Sequence, residues 1–243
     1  MSKQRLDKIL FDKGLAQSRQ QAQALVIAGS VLVNGEVCDK PGANFKLDVE
    51  ISLKDTPSPY VSRGGIKLAG ALDKLSLDLE GKITLDVGAS TGGFTDYLLQ
   101  KGVKKVYALD VGYGQLAWKL RRDARVVVYE RTNIRYFKPE QLPERVDLAV
   151  IDVSFISLTL VIPAVLPFLK PDGHIIALIK PQFEVGKGEV GKGGVVKDAE
   201  QQKAVVEKIS KFGNGFNLKE LAVIPSPIPG PKGNQEYFIV WQI

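Results

Sequence analysis

Residues 83–94, Ile-Thr-Leu-Asp-Val-Gly-Ala-Ser-Thr-Gly-Gly-Phe, constrain this chain more than any other stretch. An apolar run the length of one strand ends there in a glycine-rich turn that opens a helix. In an open α/β sheet such a junction is where a ligand with a nucleoside part is held. The dinucleotide fingerprint G-x-G-x-x-G lies over Gly88 and Gly93, but Ser90 stands where the second glycine lets a pyrophosphate approach. The phosphate-binding loop also fits Gly88 and Gly93, yet Phe94 and Thr95 follow, so the lysine that offsets phosphate charge is missing. Both mismatches argue against NAD and against nucleoside triphosphates. What remains is an acid, Asp86, followed by a turn of Gly88, Ser90, Thr91 and Gly92 against which a less negatively charged nucleoside ligand lies. A purely structural tight turn uses glycines in the same way.

The pattern around this turn extends one architecture. From Ser62 onward strands and helices alternate: a helix over 64–76, a strand over 83–87, a helix over 93–101, a strand over 105–110, a helix over 115–122 and a strand over 126–129. A strand over 147–152, a helix over 158–169, a strand over 174–180 and a helix over 198–212 follow, with a closing antiparallel pair near 217–224 and 236–242. Such alternation predicts right-handed βαβ crossovers in one sheet covered on both faces. The 243 residues, 44% of them hydrophobic, suffice for one ordinary domain and a small one. The small one is placed at 1–55. It reads as a helix carrying Leu6, Ile9, Leu10 and Phe11 and stopped by Gly14, then a second helix from Ser18 to Ala28 with Ser18 as N-cap. Val31-Leu32-Val33, an Asn34-Gly35 hairpin turn, Val37 and a strand through Val49, Ile51 and Leu53 complete it. Pro57 and Pro59 bias 56–61 to an extended linker, leaving 62–243 for the α/β domain.

Composition narrows the chemistry. A formal charge of +6 favours an anionic partner such as nucleic acid, although solvated surfaces carry similar surpluses. Cys38 is the single cysteine and His174 the single histidine, so neither a disulfide framework, a metal site nor a histidine-based triad is supported, and His174 reads as structural. The N-terminus is polar and charged, and no apolar run approaches the ~18 residues of a membrane span; no membrane association is expected, and the chain is expected in the cytoplasm.

In the first fifth of the chain, Arg5-Leu6-Asp7, Gly14-Leu15-Ala16-x-Ser18-Arg19, Ala22, Gly29-x-Val31-x-Val33-Asn34-Gly35 and Lys40-Pro41 together resemble the S4 RNA-binding domain. Lys3, Arg5, Lys8 and Arg19 place cations around its two helices, and the second helix, capped at Ser18, presents amides to a phosphate. Such a module reads RNA shape and backbone more than sequence.

The glycine turn resembles the first motif of S-adenosylmethionine (SAM) dependent methyltransferases. That resemblance implies a Rossmann-like methyltransferase sheet behind a small α+β S4-like domain, with SAM as cofactor. Asp86 then orders the turn and the amino end of SAM, or is a polar strand terminus only. Asp110 ends the next strand about twenty residues after the turn, where an acid binds both ribose hydroxyls; a helix-starting acid occupies the same place. Asn133 sits where the resemblance places adenine recognition, and an asparagine in a loop also makes turns.

At the acceptor side, the apolar strand Asp147-Leu-Ala-Val-Ile presents Asp152 at its far end, and Ile175-Ile-Ala-Leu-Ile presents Lys180. Upstream, Ser62-Arg63-Gly64-Gly65-Ile66-Lys67 opens a helix, and Gln235-Glu236 begins the last strand. Lys67, Asp152, Lys180 and Glu236, in that order, resemble the K-D-K-E set of FtsJ-like ribose 2′-O-methyltransferases. A 2′-hydroxyl is a poor nucleophile and must lose its proton during attack, so a base and local positive charge are needed. A lysine serves as base only when its environment favours the amine, which burial and a second cation do and carboxylates oppose. The expected roles are Lys180 as principal base, Lys67 as the cation favouring the developing alkoxide, and Asp152 and Glu236 as orienting carboxylates. Arg63 joins the expected RNA-binding set.

With an S4-like front end, the whole chain resembles the TlyA family, whose members are named both haemolysins and ribosomal RNA 2′-O-methyltransferases. The resemblance implies ribosomal RNA or ribosomal subunits as partner and a cytidine ribose as acceptor. An RNA-binding assembly factor with a degenerate methyltransferase fold, and a haemolysin-like membrane-active protein, are the alternatives. Ser58-Pro59-Tyr60-Val61 departs from the Arg-Ala-Trp-Val linker of a characterised member. Gly186-Lys187-Gly-Glu-Val-Gly191-Lys192-Gly193 mimics a phosphate loop, but Gly193 replaces the required Ser or Thr; the stretch reads either as a mobile basic loop beside the site that orders on RNA or as a flexible linker. Pro227, Pro229 and Pro231 shape a rigid loop.

Overall fold

The spacing of Leu6, Ile9 and Leu10 produces one fully buried helix face, whereas Phe11, a further 100° around the helix, is 44% exposed and does not belong to it. The computed structural model describes residues 3–16, 18–27, 29–53, 58–75, 77–186, 188, 190–191, 193–230 and 233–243. Of the positions singled out in the sequence, Ala28, Thr56, Pro57, Lys187, Lys192 and Pro231 lie outside the described residues. The chain divides into units Met1–Ser58 and Pro59–Ile243.

The first unit runs β1 (Lys3–Arg5), α1 (Leu6–Asp12), α2 (Arg19–Ile27), β2 (Val31–Val33), β3 (Glu36–Val37), β4 (Asn44–Lys46) and β5 (Ile51–Leu53). Asn34 (φ 52°) and Gly35 (φ 82°) make the β2–β3 turn, which needs left-handed backbone at both central positions. Leu6, Leu10, Ala16, Ala22, Val26, Val31 and Val33 form its core. The pairing of β1 with β4 has no counterpart in the sequence reading, because three-residue strands rich in Lys, Gln, Arg and Asn show no apolar alternation.

The second unit runs α3 (Arg63–Leu72), β6 (Ile83–Val87), α4 (Gly93–Gln100), β7 (Lys105–Leu109), α5 (Trp118–Arg121), β8 (Val126–Tyr129), β9 (Val146–Ile151), α6 (Leu158–Val165), β10 (Leu169–Ile179), α7 (Pro181–Glu184), α8 (Ala199–Asn214), β11 (Lys219–Pro225) and β12 (Tyr237–Gln242). The seven strands lie in the order β11-β12-β10-β9-β6-β7-β8. Strands β6 to β10 run parallel to one another, and β12 is antiparallel to both β10 and β11. Alternate residues of each central strand enter two separate cores. Leu85, Val87, Ala149 and Ile151 pack with α6 and α8, while Val106, Ala108, Leu148 and Val150 pack with α3, α4 and α5. This is the Rossmann-like sheet expected from the sequence.

Three expected helices are shorter than their patterns. The run 158–169 gives α6, a single 3-10 turn over Leu166–Phe168 and then the start of β10, since Pro163 and Pro167 remove the amides a longer helix needs. Helix α3 ends at Leu72 and α5 spans only Trp118–Arg121. For the site, the decisive feature is the chain reversal. From β6 the connections run outward through β7 and β8, then return to β9 on the other side of β6. The crevice between the carboxyl ends of β6 and β9 is therefore the topological switch point, where ligands of such sheets bind. No helix among the described residues is long and apolar enough to cross a membrane.

Candidate active site

At that crevice the glycine turn is held in a shape few residues tolerate. Gly88 (φ 85°), Ser90 (φ 50°) and Gly92 (φ 97°) all take left-handed backbone. A Cβ on Gly88 would sit 2.5 Å from the Asp152 carbonyl, and one on Gly92 would collide with the Leu120 side chain. The turn is thus pressed against β9 on one side and α5 on the other. Thr91 accepts from the Ala117 amide through its carbonyl, which ties the turn to the segment before α5.

Three strands of the parallel sheet, β6, β7 and β9, bring a carboxylate to this edge: Asp86, Asp110 and Asp152. Asp86 is completely buried, and its Oδ2 accepts from the Thr95 amide (3.0 Å) and hydroxyl (2.7 Å) at the start of α4. Its Oδ1 is buried with no hydrogen-bond partner among the described residues. Burial, reinforced by the nearby Asp152 and Asp110 charges, pushes its pKa up to about 7 against the pull of the Thr95 hydrogen bonds. Asp86 therefore fastens the turn to α4. Asp110 accepts from the amides of Ser90 (2.8 Å) and Gly112 (2.6 Å), and it lines a narrow hollow with Ser90, Gln115 and Glu130. Asn133 lies apart from both hollows: its Oδ1 accepts from the Arg135 amide and its carbonyl from Tyr136 and Phe137, the pattern of a turn-forming asparagine.

A cavity of about 390 Å³ opens beside the turn, lined by Lys67, Gly88, Ser90, Thr91, Asp152, Ser154 and Lys180, with Arg63 and Pro229 at one side. Its size falls within the usual range for small-molecule sites. Lys67 and Lys180 are 7% and 9% exposed, and lysines so buried require partners. Lys67 Nζ lies 2.6 Å from Glu236 Oε2, and Glu236 is fully buried. Lys180 Nζ lies 2.6 Å from Asp152 Oδ1 in an ion pair and donates to Ser154 Oγ at 3.0 Å. Gln182 Nε2 reaches Glu236 Oε1 at 3.5 Å, and a Cβ on Gly230 would collide with that carboxylate. Four residues distant in sequence thus become two buried ion pairs, three members of which line one cavity while Glu236 backs Lys67.

Arg63 donates to the Pro229 carbonyl at 2.9 Å, fixing the proline loop over the amino end of α3. In the first unit Ser18 caps α2 by accepting from the Gln21 amide. Lys3 and Lys8 are exposed, but Arg5 and Arg19 both pair with the buried Asp7, at 2.9 and 3.4 Å. The Arg5 guanidinium and the Gln23 amide hold the Asp7 carboxyl well below the usual range. Two of the four cations expected for RNA in this unit are therefore partly neutralised by a structural acid. Sequence reasoning missed Ser154, Gln115 and Glu130, common residue types in loops without a distinguishing pattern. It also missed Thr95, whose only signal was its place on the first turn after Gly93.

Comparison with known proteins places both units in known families. The FtsJ-like methyltransferase family model matches residues 60–243, and the S4 domain model matches residues 4–51. The 16S/23S rRNA (cytidine-2′-O)-methyltransferase TlyA of Mycobacterium tuberculosis is 48% identical over 236 residues, covering 97% of this chain and 88% of that protein. Hemolysin A of Brachyspira hyodysenteriae is 43% identical over 236 residues, covering 96% of this chain and 97% of that one. The solved structure of a candidate hemolysin from Streptococcus thermophilus is 43% identical with a TM-score of 0.77, covering 100% of this chain and 89% of that chain. This chain is therefore a member of the FtsJ-like methyltransferase family, in the TlyA group, with an S4 domain in its first unit.

Proposed function

We propose that this chain transfers a methyl group from SAM to the 2′-hydroxyl of a cytidine ribose in ribosomal RNA. The observation that carries the reading is the pair of buried lysine–carboxylate contacts, Lys67–Glu236 and Lys180–Asp152, beside a glycine turn without a phosphate-binding lysine. Three strand-end carboxylates suit a ligand with sulfonium, ammonium and ribose hydroxyl groups and repel a pyrophosphate. The donor set therefore fits SAM, with Gly88, Ser90, Thr91 and Gly92 shaping its bed, Asp110 at the ribose and Asp86 ordering the turn beneath, while Asn133, engaged in its own turn outside both hollows, has no part in it. When bound, SAM supplies an electrophilic methyl group.

The chain's own residues handle the proton and the developing charge. Lys180 Nζ, in its amine form, accepts the 2′-hydroxyl proton, and Asp152 with Ser154 aims that nitrogen into the cavity. Lys67, held by Glu236, places a positive charge where the alkoxide develops. Residues 1–58 dock the RNA through Lys3, Lys8, Arg5, Arg19 and the capped end of α2 at Ser18, and Arg63 adds a cation at the cavity side. This assigns RNA docking to residues 1–58 and methyl transfer to 59–243, with ribosomal subunits in the cytoplasm as the partner.

Labelled methyl transfer from SAM to ribosomal subunits taken from cells lacking the gene, with the product mapped, tests the reading. Incorporation at a 2′-hydroxyl that disappears in Lys67→Ala and Lys180→Ala, with RNA binding retained, is the expected result. No incorporation into either subunit or into free rRNA would refute it.

A further inference from the structure

Lys180 stands just ahead of α7, a helix of four residues with no side-chain cap at Lys180. One helical turn does not hold itself together in water, because nucleation fixes several dihedrals for a single hydrogen bond. The position of Lys180 therefore depends on what grips α7 from outside. At its last residue, Glu184 is 4% exposed, an unusual burial for a glutamate that belongs to neither ion pair. Glu184 Oε2 accepts from the Ser157 hydroxyl at 2.6 Å, and Oε1 accepts from the Leu158 amide at 2.7 Å. Ser157 is the N-cap of α6 and closes the loop that leaves β9 through Asp152 and Ser154. One buried carboxylate thus joins the two segments that carry Lys180 and its partners. Lys208 on α8 donates to the Glu184 carbonyl at 2.8 Å and stops α7 from unwinding at its end. Phe155 and Phe183, with ring centroids 4.9 Å apart, make a second contact between the same two segments.

We propose that Glu184 is a positioning residue for methyl transfer: it clamps α7 to the amino end of α6 and so holds Lys180 against Asp152 and Ser154. The inference rests on the reading of Lys180 as the base. Glu184 does not line the cavity, and its carboxylate hydrogen bonds go to Ser157 and Leu158, away from the glycine turn. Its loss disturbs the Lys180 side of the site and leaves the SAM side in place.

Glu184→Ala and Glu184→Gln in the full chain test this by three measurements: kcat and KM on ribosomal subunits, SAM affinity by calorimetry, and acetylation rates of Lys180 and Lys67 by an amine-reactive reagent, read by mass spectrometry. For Glu184→Ala, kcat is expected to fall at least about tenfold, since a misplacement near 1 Å costs up to ~100-fold, with SAM affinity changed less than about threefold. Lys180 is expected to acetylate at least about threefold faster while Lys67 does not change, because only the Lys180 pair loses its clamp. Glu184→Gln keeps an acceptor for the Leu158 amide and a donor toward Ser157 Oγ, so it should stay within about threefold of wild type in every readout. Unchanged kcat and unchanged Lys180 acetylation in a folded Glu184→Ala would overturn the proposal. So would a joint rise at Lys67 and Lys180 with lost SAM binding, which marks general loosening. Should Glu184→Ala not fold, Ser157→Ala removes one of the two bonds, and the same selective rise at Lys180 is required of it. Wild type inactive on subunits would refute the methyl-transfer reading, and the acetylation comparison would still decide the role of Glu184.

Discussion

Two side chains define the chemistry at the scale of single residues, and a third reports on its electrostatics. Glu236 is the fully buried partner of Lys67, so Glu236→Gln leaves a lysine charge without its counter-charge in a low-dielectric setting. Removing one member of a buried pair costs ~3–5 kcal/mol, and thermal unfolding should show a Tm several degrees lower together with a loss of methyl transfer. Asp86 gives a pH signature of definite sign. Its folded pKa, about 7, lies above its unfolded value, so the native state binds the extra proton between the two. The associated stability is complete below the unfolded pKa near 4 and is lost as pH rises through about 7, with a slope up to ~1.4 kcal/mol per pH unit. Asp86→Asn should flatten that decline. Unfolding midpoints of wild type and variant that keep a constant difference from pH 5 to 7.5 would contradict it. Asp7 behaves oppositely: its lowered pKa contributes stability above the ordinary carboxylate range that is lost on acidification.

Secondary-structure elements depend on what presses against them, and the glycine turn shows this most clearly. Gly92 combines a left-handed φ of 97° with a position where a Cβ would collide with Leu120 and come within 2.7 Å of Leu116. Gly114 also has a left-handed φ, 71°, but nothing lies within 4 Å of its Cβ position. Gly92→Ala should therefore cost ~2–4 kcal/mol, from backbone strain plus overpacking, and Gly114→Ala only ~1 kcal/mol from backbone strain alone. Denaturant unfolding of both variants checks this, and equal losses would show that packing against α5 contributes nothing. The same logic explains which elements the residue pattern revealed. Strands β6, β7 and β9 are mostly apolar runs interrupted by single polar residues and are readable as strands, and the pattern also gave α5, though as a longer helix than its one turn; β1 and β4 are polar three-residue strands that exist only because their neighbours fix them.

For the molecule as a whole, the charge surplus becomes a statement about RNA affinity. Phosphate contacts make log K fall linearly with log salt, by ~0.7–0.9 per neutralised phosphate. Lys3→Ala and Lys8→Ala should each reduce that slope by up to about one, while Arg5→Ala and Arg19→Ala should change it less, because Asp7 already engages both guanidiniums. Titration of ribosomal RNA fragments at several salt concentrations measures the difference. The sequence by itself determined the class of fold, the glycine turn that excludes a pyrophosphate, and the identity of the four polar residues, since local pattern and residue type carry that information directly. It did not determine that Lys67 meets Glu236 while Lys180 meets Asp152, that Arg5 and Arg19 share one buried acid, or that Glu184 grips the Lys180 segment. The lysine pairs of the second unit join residues up to 169 positions apart, and only the closing of β9, β10 and β12 around the switch point brings their charges within hydrogen-bonding distance, while the two arginines meet at Asp7 through the packing of α1 against α2.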